Sequence, residues 1–290
     1  MDPRAWRRFR RNKGALVGAA LVTAITLTGL LGPFLAPHDP AEQFRDALID
    51  TDTGLPRGPF EVAGHPLGGD GPLGRDELSR LLHGASVSMA VAYLATGLAL
   101  LIGVAVGLLS GYFQGWLDLV SMRFVDLVLC MPFLLIAIVL QKVWVVEGTL
   151  APLMVLCVIL GGLSWTTLAR VTRAKTMEAR SQEYVQAAQA LGISHARILV
   201  RHILPNIAGP IIALATLMVA RMIIAESALS FLGLGVRPPT ASWGSMLSES
   251  ESLKIASPHL LLVPAALIAT AVFGFNLFGE GLRDAFDPKE

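Results

Sequence analysis

Six long runs of apolar residues decide what class of protein this chain can form. They cover residues 14–36, 85–110, 123–140, 149–169, 207–229 and 260–279. About 20 mostly apolar residues in helical form cross the hydrocarbon core of a bilayer, where only a helix or a closed barrel satisfies its own backbone. Hydrophobic residues make up 53% of the chain, charged residues only 16%, and mean hydropathy is +0.61. Such values do not suit a charge-rich solvated surface. The chain reads as an all-α membrane protein with six transmembrane helices. The third run is the weakest, because its uncharged part covers only 127–141 and it borrows a turn carrying Arg123 and Asp126. Pro132, Pro210 and Pro264 fall inside predicted spans and imply kinks or broken turns. The first run is too long for the h-region of a signal peptide, about 7–15 residues, and reads as a retained anchor.

The net charge of +1 conceals a sorting of charge along the chain. Arg4, Arg7, Arg8, Arg10, Arg11 and Lys13 precede the first run, and Arg170, Arg173, Lys175, Arg180, Arg197 and Arg201 lie between the fourth and fifth. With six spans these two segments share a side, and the excess of Lys and Arg makes that side, with both termini, cytoplasmic. Residues 37–84 carry nine acids against four arginines and fall outside. Their Pro, Gly and Asp content predicts loop, followed over 76–83 by a short amphipathic helix at the interface, with Leu78, Leu81 and Leu82 on one face. The second external loop, 231–258, has glycines and paired prolines that forbid a continuous helix, with Trp243 as an interfacial anchor. Cys130 and Cys157 sit in apolar runs and indicate neither a disulfide nor a metal site.

Moving a solute requires energy, and the chain has no G-x-x-x-x-G-K-[ST] phosphate loop. Nor does it show the repeated halves with ion-binding breaks of many secondary transporters. H-E-x-x-H is absent and paired intramembrane acids are not evident, so a membrane-embedded enzyme or a stand-alone secondary transporter is the weaker reading. What remains is a polar island, EYVQAAQALGISHARILVRHILPN, at 183–206. Good helix formers predict a helix over 181–191, ended by Gly192 as a C-terminal cap. Ser194 then caps a second helix to His202, closed by Pro205 and Asn206. Ala187 and Ala188 leave a narrow outward face suited to a partner's cleft. An ordinary amphipathic loop is the competing reading.

The spacing of Ala187-Ala188, Gly192 and His202-Ile203-Leu204-Pro205 resembles the EAA loop of permease subunits of bacterial ABC importers. HPLGGDGPLGRDELSRLLHG at 65–84, ESALSFLGLGVRPPTASWGSML at 226–247 and FNLFGEGLRDAFDP at 275–288 resemble further signatures of the dipeptide, oligopeptide and nickel group, in particular its C-type permease. The resemblance implies a type I ABC importer permease fold, divided here into 1–84, the N-terminal segment with its first helix and external loop, and 85–290, a five-helix core with a coupling loop at 173–206. It implies a homologous permease partner, two cytoplasmic ATPases that bind ATP and Mg²⁺ in place of any cofactor in this chain, and an external solute-binding protein. No nucleic-acid partner and no catalytic residue are expected. Peptide is the implied cargo, with nickel, glutathione or opines as alternatives. The implied coupling residues are Glu183, Tyr184, Gln186, Ala187, Ala188, Leu191, Gly192, His202, Pro205 and Asn206. Leu73, Gly74, Arg75, Asp76, Phe231, Gly233, Gly235 and Trp243 are implied external-loop contacts. Gln186 stands where the family carries Glu, with Glu183 about one turn earlier, and Gly69 and Pro72 depart from the external signature.

Other ionisable residues are open to two readings. Arg221 and Glu226 could line the pathway or brace the outer loop, although an offset of five does not put them on one helix face. Arg123 with Asp126 reads as an i, i+3 pair, and Arg75 with Asp76 as a loop-bracing pair. His38, His65, His83 and His259 are external but scattered, without the spacing of a metal site, and His202 reads as fixing local geometry.

Overall fold

The computed structural model describes residues 3–286 apart from 145, 147 and 149, with side chains from residue 6 onward. The side chain of Arg4, the start of the fourth predicted run at Thr149, and Asp287 and Pro288 of the closing motif lie outside the described residues.

Within those bounds the chain is helical, with isolated bridges but no strand. α1 (Pro3–Arg11) leads into α2 (Lys13–Leu35) through Asn12, whose side chain accepts the Ala15 N–H as an N-cap. A loop holding the short α3 (Arg45–Leu48) precedes α4 (Glu77–Phe113). Then come α5 (Gly115–Cys130), α6 (Phe133–Val143), α7 (Leu150–Arg180), α8 (Glu183–Ala190) and α9 (His195–Arg197). A π-helical turn (Ile198–Ile203) runs into α10 (Leu204–Phe231), followed by α11 (Trp243–Ser250) and α12 (His259–Phe286). Five helical stretches, the α9–α10 run counted as one, are long and apolar enough to cross a membrane, and α5 with α6, bent by 87° at the break, are apolar enough together for a sixth, broken span or a re-entrant loop.

Two expectations change, and the break expected at Pro132 is present. Residues 76–83 are not a separate interfacial helix: Asp76 caps α4, and residues from Glu77 onward are its first turns, so a division at 84/85 falls inside a helix. A 37-residue helix is about 56 Å long against a hydrocarbon core of about 30 Å, so α4 projects beyond the membrane. The third span breaks at Met131, whose extended backbone is what the following Pro132 demands. The island's second helix does not close at Pro205 but continues through the π turn into α10. Widening that turn relieves the clash of the Pro205 ring with the carbonyl four residues back, and the Leu204 N–H accordingly donates to Leu199 O.

Small residues bring the helices together. Gly103, Gly107 and Gly111 recur every fourth residue along α4 and face α7; a Cβ at Gly107 would stand 2.6 Å from both Ala169 O and Thr172 Cβ. Between membrane helices, such close approach supplies the packing that hydrophobicity cannot. α2 approaches α12 in the same way, with Gly18 against the Phe278 backbone. Phe9 of α1 meets Phe278 edge-on and clusters with Leu282 and Ala285, and Phe286 packs on Gly209. The N-terminal helix, the end of α12 and the polar island therefore share one end of the bundle, while α3 and α11 lie at the other.

Candidate functional site

The island's first helix is exposed except at Val185 and Ala188, which are buried against the body; Tyr184, Ala187 and Leu191 follow at three- and four-residue spacing on its outward side, Leu191 exposed by 80%. Ala188 is thus an anchor rather than part of the outward face, because a helix of 3.6 residues per turn cannot turn two adjacent residues to the same side. Gly192, at φ +73°, ends α8: its N–H bonds Gln189 O and that of Ile193 bonds Ala188 O, the paired arrangement that a left-handed residue permits. Gln186 donates to Ser181 O at 3.1 Å, a bond that a carboxylate could not make. Glu183 is exposed. Ser194 stands at the N-cap of α9 without a side-chain cap bond, and Asn206 donates to His202 O at 2.8 Å beside the exposed Pro205.

A residue that the sequence did not single out holds this island. Tyr112, in the last turn of α4, is 2% exposed. Its hydroxyl lies 2.8 Å from His195 Nδ1 and accepts from Gln189 at 3.2 Å, and Arg180 lies over its ring. One hydroxyl, bonded to His195 of α9 and accepting from Gln189 of α8, ties both island helices to α4. A tyrosine closing an apolar run carries no sign of such a partner.

The opposite end is closed by charge. Asp70 and Glu249 face Arg75 and Arg80: Arg75 donates to Asp70 at 2.5 Å and to Glu249 at 2.6 Å, and Arg80 donates to Asp70 and, at 2.8 and 3.1 Å, to Glu249. Arg80 and Asp70 are buried, and the network joins the first loop and α4 to α11. Burial pushes the Glu249 carboxyl up, but hydrogen bonds and charge from Arg80 and Arg75 hold it below its ordinary range. Arg75 and Asp76 do not brace each other, since Asp76 accepts the Ser79 N–H and a bond from His65. Of the expected external contacts, Leu73, Phe231 and Gly233 are exposed, whereas Gly74, Arg75, Asp76, Gly235 and Trp243 are buried. Trp243 is a core peg rather than an interfacial anchor, its indole N–H donating to Leu81 O.

Between the ends, Glu226 is fully buried and accepts from Ser88 at 3.0 Å and Ser230 at 2.7 Å. Ser88 in turn accepts the Trp243 N–H, so α4, α10 and α11 are joined by this acid. Arg221 is not its partner. It lines an apolar groove of about 480 Å³ with Met131, Phe133, Ser164 and Met222, which leaves Arg221, and not Glu226, facing open space. Asp126 pairs with Arg170 across to α7 rather than with Arg123, and Asp118 with Arg173. His38 and His65 are not scattered: their rings stack 4.4 Å apart.

Residues 103–290 match the family model described as binding-protein-dependent transport system inner membrane component, and residues 4–52 that described as the N-terminal TM domain of oligopeptide transport permease C. The first match alone covers more than half of the chain. This chain belongs to the binding-protein-dependent transport permease family. The permease is 36% identical over 98% of its length to the dipeptide transport system permease protein DppC of Haemophilus influenzae, covering 93% of that protein. It is 37% identical over 98% to the di/tripeptide transport system permease protein DppC of Pseudomonas aeruginosa, covering 91%. It is 38% identical over 98% to the glutathione transport system permease protein GsiD of Escherichia coli, covering 89%. A solved structure of inward-facing conformations of the MetNI methionine ABC transporter overlays at a TM-score of 0.56, covering 71% of this chain and 95% of that one at 15% identity. That likeness gives the permease the fold of a type I ABC importer subunit, as the sequence resemblance implied. As a member of the family it is a multi-pass component of the bacterial inner membrane.

Proposed function

We propose that this permease imports short peptides as half of a translocation pathway. It pairs with a homologous permease, receives cargo from an external solute-binding protein, and is driven by two cytoplasmic ATPases that hold ATP and Mg²⁺. The chain itself binds no nucleotide and performs no covalent chemistry. The island end faces the cytoplasm, and Leu73, Phe231 and Gly233 face the binding protein. The observation that carries this reading is the outward-facing set Tyr184, Ala187 and Leu191 on α8 and its C-cap, clamped through Tyr112 and joined by the turn at 191–194 to α9, which continues through the π turn into α10. When the ATPases close, α8 moves with them, and the short turn at 191–194, α9 and the π turn pass that displacement to α10. The same movement reaches α4 through the Tyr112 hydroxyl. Peptide cargo rests on relatives named for dipeptides and di/tripeptides that align along nearly the whole chain.

A second reading, glutathione, has support of its own in the GsiD relatives at 38% identity. Transport by the complete importer in proteoliposomes separates the two: peptide import predicts ATP-driven uptake of a labelled dipeptide that excess glutathione does not suppress. Ala187→Glu tests coupling, with co-purification of the ATPases and uptake both expected to be lost while the permease stays folded. Undiminished uptake by that variant defeats the coupling assignment.

A further inference from the structure

Three side chains far apart in sequence meet at the end opposite the island. His38 follows α2, His65 lies in the middle of the first loop, and Asp76 caps α4; one donor atom from each lies within 4.8 Å of the other two. His65 Nδ1 is 2.9 Å from Asp76 Oδ1, and His38 Nδ1 is 4.0 Å from Asp76 Oδ2. The two imidazoles stack with 19° between their planes, and Phe44 packs against both, 5.0 Å from His38 and 4.9 Å from His65.

Two features of this cluster leave room for a further partner. The Asp76 carboxylate is fully buried and bonded to the Ser79 N–H and His65, but among the described residues it has no Lys or Arg partner, unlike Asp70 and Glu249 close by. A buried carboxylate needs either a compensating cation or complete hydrogen bonding. The second is His38 Nδ1, which is buried without a hydrogen-bond partner although the ring's far edge is a quarter open. A cation between the three groups answers both.

We propose that His38, His65 and Asp76 form a binding site for a borderline divalent transition-metal ion of the Zn²⁺ class. Two imidazole nitrogens and a carboxylate oxygen are a donor set such ions take, with a water as the fourth ligand of a tetrahedron. Bond lengths of about 2.0–2.2 Å place donors around the ion about 3.4 Å apart. The widest spacing here therefore closes by about 1.4 Å, a movement within reach of His38, the least enclosed ligand. Further hydrogen bonds already orient the set: Asp76 Oδ2 accepts the Ser79 backbone N–H, and Ser79 Oγ accepts the His38 backbone N–H at 3.0 Å. Its role is to pin the end of α2, the first loop and the start of α4 to one another.

The test uses the full-length permease, purified through a tag without histidines and stripped with chelator. After dialysis against micromolar Zn²⁺, elemental analysis is expected to find one more equivalent of zinc in the wild type than in His38→Ala. Equal zinc content in the two overturns the proposal. A thermal melt of the wild type provides an arm that needs no variant: Zn²⁺ raises the midpoint and Mg²⁺, an oxygen-seeking ion, does not. No rise with Zn²⁺, or an equal rise with Mg²⁺, also overturns it.

Discussion

The two ends of this permease are held by different physics. At one end Asp70, Arg75, Arg80 and Glu249 form a network of buried or half-buried charges, with Trp243 pegged beneath it. At the other, α8 is attached through Val185, Ala188 and the hydroxyl of Tyr112, and turns Leu191 to the outside. Parting buried charges leaves each desolvated and unpaired, whereas a small apolar contact and two hydrogen bonds part and re-form at far lower cost. Displacement is therefore accommodated at the island end, while the charged end acts as the fixed frame.

The largest effect expected of a single substitution falls on the frame. Arg80→Met leaves Asp70 and Glu249 sharing Arg75 alone, and the cost is about 3–5 kcal/mol, read as a lower midpoint of chemical unfolding in detergent. A smaller loss follows acidification. Because the Glu249 carboxyl is held below its ordinary value, its contribution is fully present above the unfolded value and is lost as pH falls through the lower folded one. Unfolding midpoints from neutral pH down to about 3 are expected to fall, and Glu249→Gln to flatten that part of the fall. If the wild-type curve is already flat, the frame does not rest on this acid.

At the island end the effects are smaller in energy and larger in transport. Tyr112→Phe removes both hydroxyl bonds for about 1–2 kcal/mol, and hydrogen exchange is expected to quicken over α8 and α9 while α11 stays protected. Equal loosening at both ends would break the contrast drawn here. Leu191→Asp, at an exposed position, is expected to shift stability by less than about 0.5 kcal/mol yet abolish ATP-driven uptake. A permease that unfolds on this change would show that Leu191 packs internally.

Much of the architecture was legible because lipid imposes length and apolarity, and the six runs reported both. Pro132 announced the break in the third span for the same backbone reason that produced it. The break of the island into two helices was legible in its sequence, and Gly192 behaved as its missing Cβ required. What escaped depends on partners distant in sequence. Nothing local tells that Arg75 turns to Asp70 and Glu249, that Asp126 finds Arg170, or that Ala188 rather than Ala187 faces the body. The stripe Gly103, Gly107 and Gly111 was available as a small-residue motif in an apolar helix, but a single sequence does not name the helix it meets. The meeting of His38, His65 and Asp76 is a product of loop closure and could not be read from spacing.

The π turn at Ile198–Ile203 sets how α10 responds to a change in chain length. A turn of this kind absorbs one extra residue while the helix on either side keeps its phase. Elsewhere in α10, losing a residue would rotate all that follows by about 100° and swing Glu226 away from Ser88 and Ser230. Within 198–203 the same loss would keep that phase, while bringing back the Pro205 clash that the wide turn relieves. The chain thus carries, beside its proposed motor contact, a single residue of slack, and a helix with slack at its root can twist against its neighbours without unwinding.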